Sequence, residues 1–584
     1  MPVHAQQIVL AAWALLAGVL LGLGLLERRL FGPRLTTGSE LWTSFWIGWA
    51  VLLVGLELWH SFLPIDDRAR VFFTLVGAAG WIVAGTGPWR VIGRLLTRYF
   101  IAIAAALGAA YWLSNQALAG PRFGDTGMYL VPTMHWYESF AIVPGLANLF
   151  VPLGNNITYF LYGALLDGGP FAKHVYPLIN TLLALALLAR GLFAGLRLVA
   201  SRHSTVGDLF YALALVPLLD IIFSLYLTSP MPDTAVFLYG LVLAGELVEL
   251  LASRTPSRAR LLRLVFLSAA ALTVKLSIAG LAVATPAVAL LWWIWRTRPP
   301  VMEAAATTAF CALVALIPIG PWIARNIVLS GYPLYPAMIF PLPVDWIARV
   351  DATAWIQRPM ELAPLWTIFR DTAWWKLRLT SLGWDGTDVM RPLVMLGVGL
   401  ALVAVARPVE WWRRRQRGAP AIGEPGVERN SFEPANVPPI ILLAPLAAFV
   451  FTFLNTPMPR YQGATLWMFG IDLVILAIAA IGGTAGRLVR VLCVLAVVAV
   501  SAQPAERREQ AWLALKDFEG TSPPRLHEET LPSGLVVRVP ENQVCWYAPL
   551  PCTPEPHPGL YLRRPGDLAG GFAIDPSVPA PPTH

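Results

Sequence analysis

The run IVLAAWALLAGVLLGLGLL, residues 8–26, contains no charged side chain and no proline. A helix of that length extends about 28 Å, close to the ~30 Å of hydrocarbon in a bilayer. No basic region precedes it and no small-residue cleavage site follows, so it reads as a retained helix and not a signal peptide. Similar runs recur along most of the 584 residues, of which 57% are hydrophobic and 13% charged. A soluble chain would carry about twice that charged share. Transmembrane barrels show short alternating segments, and continuous apolar runs exclude them. The fold class expected is an all-α polytopic membrane protein.

Spans are expected near 7–26, 41–63, 71–88, 99–118, 175–198, 208–228, 234–252, 264–277, 279–296, 303–325, 389–406, 438–454, 464–483 and 487–503, about fourteen in all. The pair within 264–296 is short for two crossings. The net charge of +8 comes mainly from short loops: ERRLFGPR, RVIGRLLTR, SRTPSRARLLR, RTR and WWRRRQRG. Clustering of that kind follows the positive-inside rule and marks these loops as cytoplasmic. It is orientation, not a nucleic-acid signal. Alternation then puts both termini outside, with the loops 119–174 and 326–388 and the tail 504–584. The Pro- and Gly-rich linker 407–437 falls inside.

The tail is polar and proline-rich, with a β-like run, SGLVVRVP, at 533–540. Cys311 and Cys493 sit in apolar spans, where a thiol acts as a small hydrophobe. Cys545 and Cys552, in CWYAPLPCTP, lie in the external tail, where an oxidising compartment permits a disulfide. Zinc is the poorer alternative, because His557 alone leaves the ligand set short.

Ionisable groups at the outer face are the candidate functional residues. Asp125 leads, in GPRFGDTGMYLVPTMHWYESFAIVPGLANLF at 120–150, flanked by Gly124 and Gly127. Two readings are open for it: a general base, or the N-cap of the helix that follows. In the same loop stand Tyr129, His135 and Glu138, the last two sharing a helical face. YLVPTMHWYESF and NNITYFLYGALL read as two helices along the membrane interface. PWIARNIVLSGYPLYP, at 321–336, offers Arg325 and Asn326 at the outer edge of a span, then Tyr332 and Tyr335. Arg325 there either clamps a phosphate or snorkels to the interface. NTPMPRYQGATLWMF supplies Arg460 and Tyr461, and TSPMPDTAVFLYG places Asp233 at a helix start, where an N-cap is the bland role. Lys275 lies in the apolar run ALTVKLSIAG, where a lysine needs a cavity or a partner.

These motifs resemble the GT-C superfamily of integral-membrane glycosyltransferases, over roughly residues 99–484. The resemblance implies a polyprenyl-phosphate-linked sugar donor, an acidic residue in the first large external loop, and two interfacial helices after it. Asp125 in FGDTGMY matches that acidic position by context, and PW…RN…SGYPLYP looks like the end of a later span in such enzymes. Within the superfamily, GDTGMYLVPTMHWYESFAIVPGLANL, VKLS, RYQGATLW and CWYAPLPCTP resemble a poorly characterised set of bacterial multi-spanning proteins. The layout implied is a set of extra spans in 1–98, a GT-C-like core in 99–503 and a small external tail. A single Asp125 replaces the superfamily's acidic pair, so the need for Mg²⁺ or Mn²⁺ is left open.

The activity implied is transfer of one sugar to a glycan or lipid acceptor at the outer face of a bacterial cytoplasmic membrane. Asp125 would be the base; Arg325, with Lys275 or Arg460, would hold the lipid phosphate. A transporter or flippase of a lipid-linked saccharide is the alternative, although neither repeated halves nor interrupted midplane helices stand out. A third reading is a non-catalytic component of envelope assembly.

Overall fold

The structure is a computed structural model that describes residues 2–31, 35, 37–121, 123–200, 204–224, 226–349, 375–376, 380, 387–416, 437–455, 459–481 and 523–579. Among the described residues eight helices are long and apolar enough to cross a membrane. They are His4–Leu30, Gly38–His60, Phe100–Ala117, Tyr176–Ala200, Pro232–Leu251, Leu276–Thr297, Val301–Ser330 and Val389–Ala406. The chain is a helical membrane protein.

Fewer spans are present among the described residues than the fourteen expected, for readable reasons. The 71–88 segment becomes two helices, Asp67–Ala84 and Gly87–Arg98, bent by 85°; counted as one span, the pair raises the total to nine. The break falls at Gly85, whose φ of +66° suits glycine, and Pro88 opens the next helix. Region 208–228 divides into Val206–Leu213 and Leu215–Ile222, each too short to cross. Arg258–Val274 carries three arginines in its first two turns, which places that end at a membrane surface. Pro439–Asn455 and Thr465–Ala480 are apolar but shorter. The expected span 487–503 lies outside the described residues. The helix Thr387–Gln416 runs on past 406 into the expected linker, the rest of which, 417–436, also lies outside them.

Small residues set the helix spacing, as is common where lipid supplies no hydrophobic drive between helices. A Cβ on Gly22 would fall 1.9 Å from the Gly77 carbonyl oxygen, and one on Gly48 would fall 1.7 Å from that of Leu20. The first three helices are thereby held backbone to backbone.

The helices expected along the interface, Val131–Ser139 and Tyr159–Leu166, are instead packed inside the protein. Every residue of Tyr159–Leu166 is buried, as an all-apolar helix surface requires. Both pack on one another, and Tyr159–Leu166 also packs on Gly38–His60. The tail departs from the all-α pattern. Leu526–Thr530 pairs antiparallel with Val536–Pro540, and Leu560–Leu562 with Phe572–Ile574. Cys545 and Cys552 are joined as a disulfide. The tail docks on the 119–174 loop through Trp546 N to the Gly127 carbonyl at 2.9 Å, Thr553 Oγ1 to that of Leu149 at 2.9 Å, and Phe572 N to that of Pro144 at 3.0 Å.

A buried helix sets the distance between the two ends of the bundle. Pro232–Leu251 shows the separation: Asp233 and Glu249 are sixteen residues apart on it, about 24 Å along the axis.

Candidate active site

Four chain segments bring Asp125, Tyr129, Asp233, Lys275, Arg460 and Tyr461 together at one end of the bundle. Asp125 precedes Thr126–Leu130, a single turn of π-helix, the kind of irregularity that often marks functional sites. Its side chain makes no capping hydrogen bond, so the helix-cap reading does not account for it. Tyr129 Oη donates to Asp125 Oδ2 at 3.3 Å, and Arg460 Nη1 stands 3.7 Å from the same oxygen. Arg460 Nη2 donates to Tyr461 Oη at 2.9 Å. The Arg460 guanidinium and the Lys275 ammonium lie 4.8 and 4.7 Å from the centre of the Tyr461 ring. Phe123 and Tyr226 meet edge to face beside Arg460.

Lys275 corrects its expected place. It does not sit within a span; it is an extended residue at the C-cap of Arg258–Val274, in the turn leading to Ala279–Thr297. Its Nζ donates to both Asp233 oxygens, at 2.6 and 2.7 Å. Asp233 is likewise no N-cap, that position being Met231. Intramembrane-edge charges are expected to be paired in this way.

The site is partly open, with Asp125 and Arg460 side chains 28% and 31% exposed. Burial pushes the Asp125 carboxyl above the usual aspartate range, and Arg460 and the Tyr129 hydroxyl pull it back in part. Burial, with the charge of Asp125 next, also drives the Tyr129 hydroxyl well above its ordinary range, so it stays a donor. Burial opposes the charge on Arg460, but Tyr461, Asp233 and Asp125 outweigh it and its pKa rises. Asp125 and Asp233 each face a cationic side chain, and among the described residues no three His, Cys, Asp or Glu side chains converge.

Other expected site residues lie elsewhere. Arg325 is 1% exposed, enclosed rather than presented to the outer surface. Its Nη1 lies 2.7 Å from His60 Nδ1, its Nε donates to Asn156 Oδ1 at 3.1 Å, and its guanidinium lies over the Tyr137 ring. Because Arg325 is a donor only, His60 Nδ1 accepts and its Nε2–H donates to the Phe140 carbonyl at 3.1 Å. Asn156 closes the brace, exchanging two 2.7 Å bonds with Trp322. Asn326 Nδ2 donates to the Pro333 carbonyl and Tyr335 Oη to that of Val151, both at 3.0 Å. Tyr332 and Tyr335 are buried with Ala147 and Val151 and offer no sugar platform.

His135 and Glu138 face the tail and not Asp125. The His135 ring meets Tyr547 edge to face, and the Lys173 ammonium lies over the ring of that tyrosine. Tyr547 Oη donates to Asp167 Oδ2, and Asp167 Oδ1 accepts from Lys173 N at 2.5 Å. Burial first, then the Asp167 charge, pushes Glu138 up to about 9, with Arg70 opposing. Burial and then Lys173 lower His135.

Sequence reasoning missed Glu57, His60, Asn156 and Trp546. Glu57 accepts from Thr158 Oγ1 at 2.5 Å inside the bundle, and an acid within the run LLVGLELWH was its available signal.

The model of one family, described as a domain of unknown function (DUF8201), matches residues 7–467, and the chain belongs to that family. No curated protein and no solved structure matches the chain.

Proposed function

We propose that this protein is a membrane glycosyltransferase of the GT-C type, moving a sugar from a polyprenyl-phosphate donor to a glycan or lipid acceptor. The observation that supports it is the convergence of Asp125, uncapped and partly exposed, with Arg460, Lys275 and the Tyr129 and Tyr461 hydroxyls. Asp125 takes the proton of the acceptor hydroxyl as that oxygen attacks the anomeric carbon. The bond from that carbon to the phosphate oxygen breaks, and its electron pair leaves with the lipid phosphate. Arg460 and Lys275 stabilise the charge that gathers there, the role first expected of Arg325. A raised Asp125 pKa makes a stronger base than an ordinary aspartate, provided the pH stays above it.

The clustering of basic residues in short loops supports placing this end outside a bacterial cytoplasmic membrane, the side where the superfamily uses lipid-linked donors. The test is purified protein with a labelled polyprenyl-phosphate sugar and candidate acceptors. Release of free polyprenyl phosphate supports the reading. Movement of intact donor across a vesicle membrane without release supports a flippase instead.

A further inference from the structure

The opposite end of the bundle holds a cavity of about 1370 Å³, above the roughly 300–1,000 Å³ of ordinary small-molecule sites. Glu249 lines it, which sets it about 24 Å along the helix Pro232–Leu251 from Asp233. One part of the lining is hydrocarbon: Leu21, Phe45, Leu182, Leu185 and Phe193. The other is cationic. Arg94 and Arg98 come from Gly87–Arg98, Arg190 and Arg197 from Thr181–Ala200, and Arg254 and Arg260 from around the start of Arg258–Val274.

Carboxylates hold some of these arginines in place. Asp208 binds Arg190 at 3.1 Å and Arg197 at 3.4 Å, and Glu249 meets Arg190 at 3.4 Å and Arg260 at 3.7 Å. Six arginines line the cavity with one carboxylate, Glu249, while Asp208 and Glu246 act on Arg190 from outside the lining. Arg190 is held rigid by those bonds and by the Tyr211 ring at 4.4 Å, while its Nε is buried without a hydrogen-bond partner. The helix Gly87–Arg98, bent 85° from its neighbour, has Arg90, Arg94 and Arg98 at four-residue spacing on one face and Val91 and Leu95 on another. Such a helix lies at the headgroup level of a membrane. Val91, Leu95, Arg94 and Arg98 all line the cavity.

We propose that this cavity is a second lipid site, which takes an anionic phosphate-bearing lipid with its phosphate among the arginines and a hydrocarbon chain against Leu182, Leu185 and Phe193. Arginine forks suit phosphate oxygens, and the apolar wall gives a reason for the ligand to be a lipid and not a free anion. The site stands apart from the Asp125 cluster and does not rest on the transferase reading.

The test is native mass spectrometry of the full-length protein in nonionic detergent, titrated with dioleoyl-phosphatidylglycerol or dioleoyl-phosphatidylcholine. The phosphatidylglycerol adduct is expected to be the tighter. Arg94→Gln with Arg98→Gln should weaken it about thirtyfold, the effect expected for two arginines at a membrane surface. Both side chains are exposed, so melting without lipid should stay as in wild type. Ala189→Phe, which fills the apolar wall, should weaken phosphatidylglycerol by about tenfold or more with inorganic phosphate binding unchanged. Wild-type affinity in both variants would overturn the site. Full displacement of the lipid by inorganic phosphate would overturn its assignment to a lipid.

Discussion

Lys275 Nζ is bonded to both carboxylate oxygens of Asp233, at 2.6 and 2.7 Å, joining two helix ends that lie 42 positions apart in the chain. The side chains are 17% and 9% exposed, so little water competes with the pair. Lys275→Met should therefore destabilise the protein by about 3 kcal/mol, because it leaves a mostly buried carboxylate unpaired. The double variant Lys275→Met with Asp233→Leu should recover most of that loss. Chemical denaturation in detergent measures both, and strictly additive losses would mean the two residues are not coupled.

The sequence leaves Arg325 open between a phosphate clamp and a snorkelling residue, and its surroundings assign it a bracing role. Arg325→Lys keeps a cation but cannot reach both His60 Nδ1 and Asn156 Oδ1 in one plane. Its melting temperature should fall, with a loss of about 1–3 kcal/mol, while KM for the lipid donor stays unchanged. A raised donor KM at wild-type stability would return Arg325 to the binding site.

Composition and spacing were enough to read the helical membrane class and to single out the residues that gather around Asp125. Asp125, Tyr129, Asp233, Lys275, Arg460 and Tyr461 were each visible because a charge or phenol stands next to an apolar run. Their mutual contacts were not visible, since the partners lie on separate segments and only packing joins them. Arg325 misled because a span's outer edge and a buried brace look alike in sequence; what separates them is Asn156 and His60, distant in the chain. Among the described residues fewer spans stand out than expected, because hydropathy does not register the break at Gly85 or the division at Ala214.

Gly127 is one of the tail's anchor points on the 119–174 loop, with Leu149 and Pro144. A Cβ on Gly127 would fall 2.4 Å from Trp546 Cε2, so Gly127→Ala must push the indole away and strain the bond from the Trp546 backbone N–H to the Gly127 carbonyl. Overpacking of that kind costs about 1–3 kcal/mol. Loss of the Cys545–Cys552 crosslink in a Cys545→Ser, Cys552→Ser variant should cost about 2–3 kcal/mol within the tail. Limited proteolysis should cleave residues 523–579 faster in both variants, with the helical core intact. Wild-type cleavage rates would show that the tail does not depend on these contacts.

Glu138 gives a pH dependence with a definite sign. Its folded-state pKa, near 9, is above the ordinary 4.5, so the folded protein holds a proton that the unfolded chain releases. Its contribution is fully present below pH 4.5, and stability falls as pH rises toward about 9. Glu138→Gln keeps the shape without the charge and should flatten that decline between pH 5 and 9. Thermal unfolding of wild type and variant across this range checks it, and parallel curves would contradict it.

The most direct test is single-turnover cleavage of a labelled polyprenyl-phosphate sugar by wild type and by Asp125→Asn, with donor binding measured alongside. Wild type should release polyprenyl phosphate, with a rate that falls as pH drops through an Asp125 pKa above the usual 3.8. Asp125→Asn should bind donor as wild type does and turn over about 10²–10⁴-fold more slowly. Turnover of the variant within a few-fold of wild type, or a wild-type protein that binds donor and never cleaves it, would contradict the account.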